Sequence, residues 1–119
     1  MKIDTEHGYI DVSNDVFRMI SGHAATNCLF VKGMGMRSVA DGLVRILKRE
    51  AMGRGVRVSF DDTGAVLIDL HIVVEFGANL TALCRSVMGE VTYNVSRLTG
   101  VRVGKVNVFV DSILVTSRR

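Results

Sequence analysis

The sequence contains no proline and no tryptophan, and only two of its 119 residues are cysteines. Because proline averages about 5% of residues, its absence argues against proline-rich linkers. Cys28 and Cys84 form no Cys-x-x-Cys pair, which argues against a disulfide framework or a zinc knuckle. No apolar run approaches the roughly 18 residues of a membrane span, and the acidic N-terminus lacks the pattern of a secretory signal. We therefore expect one cytoplasmic domain over residues 1–119 with free thiols.

The residues that are present are those of a globular protein. Hydrophobic residues make up 48% of the chain and charged residues 23%, so the chain can bury a core and is not disordered. The formal net charge of +3 permits contact with anionic partners without requiring it. Composition therefore indicates a folded domain and no particular reaction.

Apolar periodicity predicts an α+β fold. Two-residue alternation or short apolar runs predict strands at 8–13, 28–31, 56–60, 66–76 and 101–110, and helical spacing predicts three helices that begin near Ser13, Ser38 and Asn79. The order β-α-β-α-β-β-α-β, with one antiparallel hairpin, predicts a mixed sheet with helices mainly on one face. In the last strand the apolar parity changes between Val103 and Val106, which predicts a β-bulge at Gly104–Lys105.

Two patterns could indicate a catalytic or cofactor site. Asp69, His71 and Glu75 share one face of the long predicted strand and could form a metal or acid–base cluster, but a solvent-facing polar row explains them as well. The glycine-rich segment 33–38 follows a predicted strand like a phosphate loop, but it lacks the third glycine and a flexible loop is favoured. We therefore predict no catalytic, cofactor-binding or metal-binding residues.

Basic residues are concentrated in the middle third of the chain. They could bind the phosphates of RNA or of anionic lipid, although few aromatic residues accompany them for base stacking and a solvated helix face is favoured. The candidate contacts of this basic patch are Arg45, Lys48, Arg49, Arg54 and Arg57. An RNA- or lipid-binding accessory domain is thus the alternative function.

Surplus apolar residues favour a protein-interaction function instead. Phe109, Ile113 and Val115 lie on the opposite side of the last strand from its valine row. Apolar surface of this kind is often a partner site, so Phe109 and Ile113 are candidate interaction residues.

Four segments together resemble a known family. They are Gly8–Ser13, Gly53–Val58, Asp69–Gly77, and Thr99–Gly100 with Val106–Val110. In order and spacing they resemble the alkaline shock protein family, the cytoplasmic envelope stress response proteins of Gram-positive bacteria, over roughly residues 6–115. The resemblance implies an α+β domain without established catalytic residues or cofactors.

The same resemblance implies the partners. It implies self-association and attachment to membrane-anchored partner proteins at the inner face of the membrane. A fatty-acid kinase of the dihydroxyacetone-kinase type is a further candidate partner, because some relatives are associated with one. The expected function is a non-catalytic interaction protein of cell-envelope homeostasis.

Overall fold

The fold is organised around one long central strand. The computed structural model describes residues 1–35, 46–47, 53 and 55–115. In chain order the elements are β1 (Lys2–Thr5), β2 (Gly8–Asp11), α1 (Asn14–Thr26), β3 (Val31–Gly35), β4 (Ile46–Leu47), β5 (Val56–Phe60), β6 (Val66–Glu75), α2 (Leu80–Thr99) and β7 (Val103–Leu114).

Strand β6 has neighbours along both of its sides. On one side it pairs antiparallel with β5 over its first half and with β3 over its second half. On the other side it pairs parallel with β7 along its whole length. Strand β4 extends the sheet beyond β3, and β1 and β2 form a separate antiparallel hairpin.

The alternation of β6 places the core on one side of the sheet. Its even-numbered residues from Val66 to Val74 are fully buried. They join one apolar cluster with Phe17 of α1 and with Val87 and Val91 of α2. Both helices therefore pack on the same face, and the expected α+β fold with helices on one face of a mixed sheet is confirmed.

The ends of the helices follow from local chemistry. The Asn79 side chain accepts a hydrogen bond from the Ala82 N–H at 3.0 Å, which satisfies a free donor in the first turn of α2. Gly100 ends this helix in the left-handed conformation, with φ 75°. Ser13 occupies the predicted cap position of α1, but its side chain makes no capping hydrogen bond.

The strand at 28–31 lies further along the chain than the sequence predicts. Strand β3 begins at Val31 and continues through Gly33 and Gly35, so the prediction of a flexible loop is wrong for these glycines. A Cβ atom on Gly35 would lie 2.5 Å from Asp111 Oδ2, so a larger residue here would require the Asp111 side chain to move.

The helix predicted after Ser38 lies outside the described residues, apart from Ile46 and Leu47. These two residues form β4 and pair with Gly35 and Met34. The hairpin strand β1 was not predicted, because its four residues alternate too briefly to stand out.

Strand β7 contains two irregularities relative to β6. The register shifts between Val103 and Lys105, which confirms the predicted bulge at Gly104–Lys105. A second shift between Val110 and Ser112 leaves Asp111 as an extra residue, and the sequence did not reveal it.

Candidate functional site

The sheet face away from the helices carries a histidine–aspartate pair. His71 Nδ1 of β6 lies 3.0 Å from Asp111 Oδ1 of β7, and the two side chains are only 13% and 15% exposed. An ionised carboxylate can only accept hydrogen bonds, so Nδ1 carries the proton. The other ring nitrogen, Nε2, is buried and has no hydrogen-bond partner among the described residues.

An aromatic ring stacks on this pair. The Phe109 ring lies parallel to the His71 ring, with centroids 4.7 Å apart and an interplanar angle of 11°. Phe109 nevertheless remains 45% exposed. The candidate interaction residue Phe109 is therefore held by its contact with His71 while it presents apolar surface outward.

The polar row of β6 does not assemble as one cluster. Asp69 Oδ1 accepts a hydrogen bond from Asn107 Nδ2 at 2.9 Å, whereas His71 binds Asp111. Glu75 lies at the far end of the strand, opposite Leu114. In the part of the chain that the structure describes, no group of three or more histidine, cysteine or acidic residues is placed to hold a metal ion. The row thus connects β6 to β7 at two points.

The two cysteines have the properties of structural thiols. Burial raises the pKa of the Cys28 thiol, and the negative charge of Glu90 raises it further. Burial also raises the pKa of Cys84. Both thiols are half-buried rather than buried as expected, and Cys28 Sγ lies 3.5 Å from the Ala24 carbonyl oxygen to which it donates. Raised pKa values disfavour the nucleophilic thiolate.

Most of the predicted basic patch cannot be placed. Arg45, Lys48, Arg49 and Arg54 lie outside the described residues. Arg57 is exposed on β5, where it lies opposite Asp69 in the antiparallel register. The described structure therefore brings no two members of the patch together.

A shallow groove runs between the two helices. Its volume is about 400 Å³, and it is open to solvent. The residues that line it include Met19, Ile20, His23, Asn27, Glu90 and Leu98. His23 Nε2 lies 3.3 Å from the Asn27 amide nitrogen in the groove wall. The sequence did not reveal this groove, because it depends on how α1 and α2 pack.

The end of β7 exposes apolar side chains. Ile113 is 43% exposed and Val115 is 74% exposed. Phe76, which the sequence pattern places on the inner face of β6, lies just beyond the strand and is exposed as well. Its N–H donates to the Leu114 carbonyl at 2.8 Å, which places Phe76 beside the end of β7. The prediction that Ile113 lies on the opposite side from the valine row is wrong, because the extra residue at Asp111 reverses the alternation and Ile113 pairs with Val74 of the core face. Phe109 pairs with His71 on the other face. We call Phe76, Ile113 and Val115 the apolar β7 surface.

Comparison with known proteins gives the family. The sequence profile of the alkaline shock protein 23 family, described as having a cell envelope-related function, matches residues 2–115. The chain belongs to this family. The resemblance inferred from the sequence is thereby confirmed over almost the whole chain.

Three relatives in this family span nearly the same length. The uncharacterized protein YloU of Bacillus subtilis is 34% identical and is covered over 98% of both chains. The uncharacterized protein Spy1614 of Streptococcus pyogenes serotype M6 is 30% identical over 97% of this chain and 95% of its own. The uncharacterized protein YqhY of Bacillus subtilis is 27% identical over 92% of this chain and 80% of its own length. No solved structure matches this chain.

Family membership assigns the chain to cell-envelope function without naming a site. None of the helices in the described residues has the length and apolar character needed to cross a membrane. The features that bear on function are therefore the His71–Asp111 pair, the helix groove and the apolar β7 surface.

Proposed function

We propose that the protein is a non-catalytic interaction protein of the cell envelope that associates with itself and with protein partners. It would act from the cytoplasm, at the inner face of the membrane. The observation that carries this proposal is the apolar β7 surface on a twelve-residue strand whose pairing, among the described residues, is with β6 alone. Exposed apolar side chains beside an unpaired strand edge are typical of protein contact sites.

The chemistry of the polar groups also supports interaction rather than catalysis. His71 uses one ring nitrogen to bind Asp111, and the Phe109 ring stacks on its face. The two thiols are held in their protonated form by raised pKa values. His71 and Phe109 join β6 to β7, and Cys28 packs against the apolar core.

The proposal is tested by measuring the mass of the protein over a range of concentrations. Light scattering after size-exclusion chromatography should give a mass above the 13.0 kDa of one chain, and the mass should rise with concentration. Ile113→Glu places a charge on the apolar β7 surface and should lower the mass. Leu29→Glu is the matched control, because Leu29 is exposed in the turn between α1 and β3 and is no part of the apolar β7 surface.

The outcomes distinguish the alternatives. A mass of one chain at every concentration would remove self-association from the proposal. An equal loss of mass in Ile113→Glu and Leu29→Glu would place the contact elsewhere than β7.

A further inference from the structure

Among the described strands β7 pairs with β6 alone, and the hydrogen bonds of β6 identify which edge of β7 this pairing leaves free. The Val66 N–H donates to the Arg102 carbonyl at 2.9 Å, and the Phe76 N–H donates to the Leu114 carbonyl at 2.8 Å. The Glu75 N–H donates in the other direction, to the Phe30 carbonyl beside β3. Since backbone groups alternate in direction along a strand, the even-numbered residues of β6 direct their N–H and C=O groups toward β7.

The parallel register then shows which β7 residues direct their backbone groups outward. In a parallel ladder the bonds are slanted, so each bonding residue of β6 contacts the two neighbours of its β7 partner and not the partner itself. The partners of the even-numbered β6 residues therefore have backbone groups on the outer edge. They are Val103, Val106, Val108, Val110 and Ile113.

These five residues form a symmetric set. Val106 and Val110 lie two positions on either side of Val108, and Val103 and Ile113 lie five positions on either side. The symmetry arises because the two bulges, at Gly104–Lys105 and at Asp111, flank the centre of the strand at matching distances. The outward residues of the edge are therefore spaced equally from Val108 toward either end of the strand.

The composition of the edge also favours pairing with another strand. All five outward residues are β-branched, and no proline or charged residue interrupts 106–110. Natural edge strands commonly carry charges or proline to prevent such pairing. The valine side chains are partly buried against the core, so a neighbouring strand could cover what remains exposed.

We propose that β7 pairs with β7 of a second copy of this chain, antiparallel and centred on Val108, so that one continuous sheet runs through both copies. This rests on the self-association proposed above and specifies how it occurs. Val108 would lie opposite its own counterpart, and Val106 opposite Val110 of the other copy. Each of these pairs exchanges two backbone hydrogen bonds.

Charge supports this register over others. In the register centred on Val108, Lys105 of one copy lies opposite Asp111 of the other. Lys105 is exposed, and Asp111 lies at the bulge with its carboxylate bound to His71. Opposite charges at facing positions stabilise a strand pair, whereas a shift of two residues along the strand would remove the match.

Cysteine cross-linking tests the register in the full-length chain. The background is Cys28→Ser with Cys84→Ser, which removes the native thiols. On mild oxidation Val108→Cys should cross-link to itself, because facing Cα atoms in such a pair lie about 5.5 Å apart. Val106→Cys alone and Val110→Cys alone should not cross-link, since each residue lies roughly 14 Å from its own counterpart. A mixture of these two variants should cross-link.

A second pair of variants tests the same register with side chains that are exposed. Asn107→Cys mixed with Phe109→Cys should cross-link, because these residues face each other on the sheet side away from the helices. Because both side chains are exposed, this pair still tests the register if cysteine at a partly buried valine prevents folding.

The outcomes separate this inference from the proposed function. If the cysteine-free chain assembles but neither Val108→Cys nor the two mixtures cross-link, β7 pairing is wrong while self-association stands. If the cysteine-free chain has the mass of one copy at every concentration, both proposals fail.

Discussion

His71 on β6 and Asp111 on β7 are forty residues apart in the chain and share a hydrogen bond of 3.0 Å. The bond lies on the sheet face away from the helices, under the Phe109 ring. It therefore connects the central strand to the strand that carries the proposed interface.

Removing the Asp111 carboxylate should destabilise the fold. In Asp111→Ala the Nδ1 donor of His71 loses its partner, and Nε2 has none among the described residues. A buried polar group without a partner costs about 1–3 kcal/mol, so we expect a loss of that size in the free energy of unfolding. Asp111→Asn retains an acceptor oxygen and should lose less. Urea denaturation measures both, and equal losses in the two variants would contradict the role of the hydrogen bond.

Substitution by alanine should change the free energy of unfolding in opposite directions at two glycines. A Cβ atom on Gly55 would lie 2.6 Å from the Gly35 carbonyl oxygen and 3.0 Å from that of His71, and backbone atoms cannot easily move. Gly55→Ala should therefore destabilise by about 1–3 kcal/mol. Gly89 lies in α2 with nothing within 4 Å of its Cβ position. Gly89→Ala should stabilise by about 1 kcal/mol, because alanine favours the helix.

Thermal denaturation of the two glycine variants measures whether each one is less or more stable than the original chain. A stable Gly55→Ala variant would show that the segment before β5 does not lie against β3 and β6.

The reactivity of Cys28 should depend on Glu90. Burial and the Glu90 charge both raise the pKa of this thiol, so alkylation by iodoacetamide near pH 7 should be slow and should accelerate as the pH rises. Glu90→Gln removes the charge, which lowers the pKa of Cys28 and should speed its alkylation by up to about tenfold. Cys84, whose pKa is raised by burial alone, is the internal control.

Mass spectrometry of the alkylated peptides measures both rates in one sample. An equal change at Cys28 and Cys84 would indicate a general loosening of the fold rather than an effect of charge.

The two helix caps should differ in their contribution to stability. Asn79→Ala removes a side-chain hydrogen bond to the first turn of α2 and should cost about 1 kcal/mol. Ser13→Ala removes a hydroxyl that makes no capping bond in α1 and should cost less. Chemical denaturation compares the two variants, and a larger loss in Ser13→Ala would contradict the described cap geometry.

The elements predicted well from the sequence are those fixed by local patterns. Strict alternation over β6 and the Asp61–Gly64 turn before it identify the β5–β6 hairpin, and Asn79 and Gly100 mark the ends of α2. These signals depend on residues that are close in the chain. They suffice for the α+β class and the position of the core.

The elements predicted poorly depend on distant contacts. The glycine-rich pattern at 33–38 favours a flexible loop, but Gly33 and Gly35 lie in β3, where the Asp111 side chain approaches Gly35. His71 was grouped with Asp69 and Glu75 on its own strand, although its partner is Asp111. Only the parallel pairing of β6 with β7 brings those two together. Likewise, the residues on the outward edge of β7 can be identified only from that pairing.

Amide hydrogen exchange of β7, measured residue by residue by NMR as the protein concentration is raised, tests the central claim most directly. The Asn107 and Phe109 amides bond to β6 in the parallel register and should be protected at every concentration. The Val106, Val108 and Val110 amides face the free edge, and we predict that their exchange slows as a second copy pairs with them. Fast exchange of these three valines at all concentrations, with Asn107 and Phe109 still protected, would contradict the account.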